Sequence, residues 1–161
     1  MVKRREPRVV AEDRIEVAAS PEVLWTCFAN LSKWPHWFPA LVEAEWTAGI
    51  PWTIGAQFRQ TVRCGFPLGS VTEVATIIEI SPSPYVAWKG KVAGMEAIQG
   101  FCFDATAGGT EVVSRHEFYG SVARLARLPF LSRCVHKVYG AALEGLKKYV
   151  ETGTIQLKIP M

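Results

Sequence analysis

The chain has 161 residues, 49% of them hydrophobic and 20% charged, with a net charge of +3. That length fits one domain with a core of its own, and that composition excludes a disordered tail protein. No apolar run approaches the roughly 20 residues that span a bilayer, and the basic start of the chain is not followed by an apolar stretch, so a cytoplasmic address without integral membrane association is expected.

Lys3, Arg4, Arg5 and Arg8 form a short basic arm over residues 1–7 and the start of the core. No second Lys/Arg cluster accompanies it, so it reads as a solvated terminus and no nucleic-acid partner is expected. A first strand is predicted at 9–17. Ser20 then suits a helix N-cap, Pro21 the first helical position and Glu22 the first turn, where the helix dipole favours an acid. Val23, Leu24, Cys27, Phe28 and Leu31 follow helical spacing, with Asn30 as a stop. Pro35 and Pro39 confine the next helical piece to a turn or two, in which Trp34, His36, Trp37 and Phe38 crowd together.

Six more period-two segments are predicted at 41–47, 57–64, 70–80, 85–92, 98–106 and 110–119. Their links carry turn chemistry: Gly65, Pro67 and Gly69; Pro82 and Pro84; Ala93 and Gly94; Gly108 and Gly109. Short links imply an antiparallel meander, with the strand at 41–47 either a free edge or a pairing surface. After Gly120 the period changes. A helical turn or two is predicted at 122–128, and a long helix runs over 130–151, started or kinked by Pro129 and closed by Gly153. Leu131, Val135, Val138, Ala142, Leu146 and Val150 share one face of it, and Gly140 and Gly145 make its centre slender.

A bent seven-stranded sheet has a concave face that one helix about 10 Å across cannot fill, so a cavity is expected between them. Strand parity proposes its lining: Phe58, Gln60 and Val62; Val86 and Trp88; Gln99, Phe101 and Phe103; Val112, Ser114, His116 and Phe118. Trp34 and Trp37 join from the aromatic turn, and Val138 and Ala142 from the final helix. Ordinary core packing is the competing explanation for each of these residues. Arg59 and Arg63 are placed outward, as are Glu73 and Glu79, together with Val71, Ala75 and Ile77.

His116 is the candidate catalytic residue, since an imidazole on the cavity face can orient a carbonyl or move a proton; a core histidine satisfied by a neighbouring group is the alternative. His36 borders the aromatic turn and His136 the flank of the last helix, without metal-ligand spacing. Cys27, Cys64, Cys102 and Cys134 are far apart among apolar neighbours and read as reduced core residues. No phosphate-cradling loop, nucleophile elbow or zinc signature is present, so no metal or cofactor is expected.

The order strand, two short helices, six antiparallel strands and a long last helix resembles the START-like, helix-grip (SRPBCC, Bet v 1-like) superfamily and its polyketide cyclase/dehydrase-like families. The resemblance covers residues 14–151. It is carried by the helix start from Ala19 to Trp25, the turn from Leu31 to Pro35, the passage from Ile80 to Trp88, and Gly108 to Val112. It implies an α+β helix-grip fold: a seven-stranded antiparallel curved sheet, two short helices after the first strand, and a long C-terminal helix over the concave face. The core would run over about 8–152, with a tail at 153–161. It also implies an internal cavity for a small hydrophobic or aromatic, lipid- or polyketide-like molecule.

Three functional readings are compatible with these residues. The first is binding or transport of such a molecule. The second is a cofactor-independent cyclase or dehydratase in which Gln60, Gln99, Ser114 and His116 shuttle protons. The third is an interaction module that exposes Trp34, Trp37 and Phe38. Ligand identity, the presence of catalysis and the oligomeric state stay open at this point.

Overall fold

The computed structural model describes residue 7 and residues 9–65, 69–81, 85–92, 94–120 and 129–157, with side chains in the last stretch described from 133 to 153. The basic residues Lys3, Arg4, Arg5 and Arg8, the short helix expected at 122–128 and the side chain of Leu131 lie outside the described residues.

The chain begins with β1 (Val9–Val17), then α1 (Pro21–Phe28) and a 3-10 helix (Leu31–His36). Six strands come next: β2 (Leu41–Ala48), β3 (Gln57–Gly65), β4 (Gly69–Ser81), β5 (Tyr85–Val92), β6 (Met95–Thr106) and β7 (Gly109–Tyr119). The last element is α2 (Pro129–Leu157). The strands form one antiparallel sheet in the order β1-β7-β6-β5-β4-β3-β2. This α+β arrangement is the expected one, with β2 at one edge and β1 at the other.

Local chemistry explains the first helix. Ser20 Oγ accepts from the Val23 N–H at 3.3 Å, Pro21 opens the first turn, and Leu24 and Phe28 are buried. Its C-terminal carbonyls need partners, and two indoles supply them. Trp34 Nε1 donates to the Phe28 carbonyl and Trp52 Nε1 to the Ala29 carbonyl, both at 2.7 Å. Trp52, at φ 57°, is a non-glycine residue in the left-handed region, and its indole bond holds the β2–β3 loop against α1.

Two expectations change. The final helix does not stop at Gly153 but continues to Leu157, because Gly153 does not adopt the positive φ that would terminate it. On β4, Val71, Glu73, Ala75 and Ile77 face the helix-covered side, where Ala75 and Ile77 are buried. A bulge between Ile77 and Glu79 then switches parity, so Glu79 alone of the two acids lies outward and exposed. Arg59 lies outward as expected, paired with Glu45 and, at 3.8 Å, with Glu43 of the edge strand; Arg63 is exposed.

α2 packs along β1 and reaches β3 and β7, α1 lies over β6, and the 3-10 helix lies over β2. The two central glycines of α2 serve different ends. A Cβ on Gly145 would overlap the Trp37 carbonyl oxygen, so this glycine permits close approach of the helix to the aromatic turn. At Gly140 the nearest atom to such a Cβ is Asp13 Oδ1 at 4.0 Å, which leaves room. Gly140→Ala is therefore expected to raise stability by up to about 1 kcal/mol through helix propensity, and Gly145→Ala to lower it despite the same propensity gain. Urea unfolding of the two variants checks the opposite signs.

Candidate ligand site on the inner face

Along the inner face, side-chain size and polarity divide the sheet in two. At one end, Phe28 lies between 4.9 and 6.5 Å, centroid to centroid, from the rings of Phe101 and Trp88, with Trp34, Trp37, Trp52 and Phe103 at intermediate distances. Phe58 joins through edge-on contacts with Trp34 and Trp88. These rings belong to one buried cluster with Val62, Val86, Val112, Val138 and Ala142. At the other end Met95, Ala97 and Phe118 form a second cluster, separate among the described residues, with Val92 and Val135 against it.

Between the two clusters lies a belt of polar side chains. Gln60, Gln99, Ser114 and His116 are all buried, and Glu73 is half-buried beside them. Gln60 Nε2 donates to Glu73 Oε1 at 2.6 Å, and Gln99 Nε2 donates to Ser114 Oγ at 2.8 Å. The His116 ring lies 4.0 Å from the Tyr139 ring of α2 and stacks on Phe118 at 5.9 Å. Next to this belt the sheet carries its smallest inward residues, since Gly90 pairs with Ala97 across β5 and β6 and Ala11 pairs with His116 across β1 and β7.

Every residue proposed as lining from the sequence lies on the inner face or against it and is buried. The structure does not bring them into one wall. Trp34, Trp37, Phe58, Trp88, Phe101 and Phe103 pack against one another, whereas Gln60, Gln99, Ser114 and His116 form the belt, with Phe118 beyond it. The indole N–H groups of Trp37 and Trp88 and the Gln99 carbonyl oxygen are buried without a hydrogen-bond partner among the described residues. Such groups carry a desolvation penalty that a binding partner relieves.

Two members of the belt were missed. Glu73 was assigned outward because a lone acid on a strand is ordinarily solvated, and the bulge that separates it in parity from Glu79 leaves no mark in the sequence. Tyr139 was passed over for the aliphatic stripe, yet its spacing from Val135 and Leu143 places it on the same broad face of α2. The cysteines are half-buried rather than interior, and Cys134 Sγ donates to the Cys64 carbonyl at 3.0 Å. His136 Nδ1 lies 3.0 Å from Asp13 Oδ1 at the flank of the site, and His36 is exposed. Among the described residues no group of three or more His, Cys, Asp or Glu side chains could hold a metal ion.

Burial governs the titration of the belt. It pushes the pKa of Glu73 up, opposed only by the Gln60 hydrogen bond, and pushes that of the Tyr139 phenol up as well. Both residues nonetheless keep part of their surface accessible. Burial, with the nearby His136, lowers His116 to about 3, so its imidazole is neutral at physiological pH.

The stability consequences have opposite signs. A lowered histidine pKa contributes stability that is full above its unfolded value of about 6.5 and is lost as pH falls toward about 3. A raised carboxyl pKa contributes stability that is full below the usual value of about 4.3 and is lost as pH rises through the shifted value. Hence His116→Gln is expected to flatten the acid side of a plot of Tm against pH. Glu73→Gln is expected to gain on the wild type as pH rises above about 4.3.

A family model described as "Polyketide cyclase / dehydrase and lipid transport" matches residues 8–151. No curated protein matches the chain. Among solved structures, TTHA0849 from Thermus thermophilus is similar at a TM-score of 0.74 and 13% identity, covering 90% of this chain and 99% of that one. The Zhui aromatase/cyclase from Streptomyces sp. R1128 is similar at 0.70 and 17%, covering 89% and 93%. Ara h 8.0201 is similar at 0.68 and 16%, covering 89% and 98%. At such identities the structures establish a shared helix-grip fold, and the match over most of the sequence establishes more: the chain belongs to the polyketide cyclase/dehydrase and lipid transport family.

Proposed function

We propose that the protein binds a small hydrophobic or aromatic molecule, lipid- or polyketide-like, on the inner face of the sheet, in the polar belt beside Gly90 and Ala97. The observation that carries this reading is that the buried apolar side chains among the described residues fall into two clusters, with incompletely paired polar groups between them. A mostly apolar wall with a few polar atoms is the usual composition of a ligand pocket. Family membership supports the same conclusion. At about 25 cal/mol per Å², a guest that hides about 200 Å² of apolar area gains on the order of 5 kcal/mol before the costs of association.

A second reading, cyclase or dehydratase action on the bound molecule, draws support from Glu73. Sequence reasoning found no acid to place beside His116, and the structure puts a buried carboxyl and the Tyr139 phenol on the same face. The third reading loses its basis, because Trp34, Trp37 and Phe38 are each no more than 3% exposed. No helix among the described residues is long and apolar enough to cross a membrane. A cytoplasmic address is proposed together with the function, and no nucleic-acid role is proposed.

Native mass spectrometry of the purified protein is expected to show a co-purifying or added apolar guest at one per chain. Ala97→Phe, which fills the small-residue patch, is expected to lower affinity for that guest by about tenfold or more with the fold retained. Unchanged binding by Ala97→Phe would place the guest elsewhere.

A further inference from the structure

We infer that Glu73 selects the guest: its free carboxyl oxygen, held over Gly90, accepts a hydrogen bond from a hydroxyl on an otherwise apolar molecule. The inference rests on the hydrophobic-ligand reading and adds to it the polar group the ligand must carry and the residue that reads it. Glu73 Oε1 is already engaged by Gln60 Nε2 at 2.6 Å, an arrangement that fixes the carboxyl plane. Oε2 points to the space above Gly90, where a Cβ of any larger residue would overlap it, and it makes no hydrogen bond among the described residues.

An interior acid commonly serves as half of an ion pair, and that role does not apply here. No lysine or arginine among the described residues pairs with Glu73 or favours its ionised form; Gln60 is the one group that does. Two acceptors of the belt are left without a donor, and the free Glu73 oxygen is the first. The Gln99 carbonyl oxygen, enclosed with its amide nitrogen spent on Ser114, is a second acceptor on the same face without a partner. A ketone or ether would offer these acceptors nothing, whereas an alcohol or phenol supplies the missing hydrogen. The carboxyl accepts such a bond in either protonation state, and a guest that covers Oε2 without answering it leaves a desolvated acceptor, a cost that discriminates between guests.

The test uses two probes of nearly equal size, 2-naphthol, which donates, and 2-methoxynaphthalene, which only accepts. Binding is followed at pH 7 by quenching of intrinsic tryptophan fluorescence. Wild-type protein is expected to prefer 2-naphthol by about tenfold, the ratio that one buried hydrogen bond supports. Glu73→Leu is expected to bring the ratio within about twofold without weakening 2-methoxynaphthalene. Glu73→Gln, which keeps a carbonyl oxygen and the shape of the side chain, is expected to retain part of the preference. It also serves as the readout if Glu73→Leu folds poorly. Equal binding of both probes by wild type, or an undiminished preference in both variants, overturns the role of Glu73 and leaves ligand binding standing. Failure of both probes to bind at all overturns the two together.

Discussion

The structure depends on how α1 is held to the sheet. Phe28, at its last turn, is enclosed by aromatic rings from the sheet, the 3-10 turn and the β2–β3 loop, and the carbonyls at that end of the helix are answered by the indoles of Trp34 and Trp52. Aromatic side chains bury more area per residue than any others, so this end of the inner face closes tightly and shuts out a guest. The packing that fills one end stops short of the belt, where α2 places the Tyr139 ring 4.0 Å from that of His116. The proposed guest site accordingly lies away from the aromatic end of the sheet.

The same division separates what the sequence disclosed from what it withheld. Strand limits were legible because each run of alternating residues is bounded by glycine or proline; β1 and β5 span the residues expected of them, while β6 begins three residues earlier, at Met95. Inward parity was legible on β3, β5, β6 and β7 because aromatic and aliphatic residues recur there at alternate positions and carry the few polar ones with them. On β4 it was not, since the bulge after Ile77 joins two segments of opposite parity, and the acids Glu73 and Glu79 were taken as one outward pair. The belt itself was only half visible. Gln60, Gln99, Ser114 and His116 could be placed on the inner face by counting, but their grouping away from the aromatic end depends on which rings meet, and that is a property of three dimensions.

α2 shows how one residue type can carry two meanings. Both central glycines cost helix propensity, and sequence reasoning attached either close packing or open space to that cost without separating the two. Gly145 turns out to admit the backbone of Trp37, while Gly140 faces Asp13 across an open gap. Gly153 neither admits a neighbour nor ends the helix, which continues through it. Such distinctions fix where α2 presses on the fold and where it stands off.

The proposed guest site lies at the polar belt rather than within the aromatic cluster. Intermolecular NOEs between a bound apolar guest and the methyl groups of the protein test this most directly. Contacts to Met95, Ala97 and Val92 are expected. Contacts confined to Leu24 and Val86, which lie in the buried aromatic-rich cluster with Phe28, or saturable binding at the outer surface alone, would contradict it.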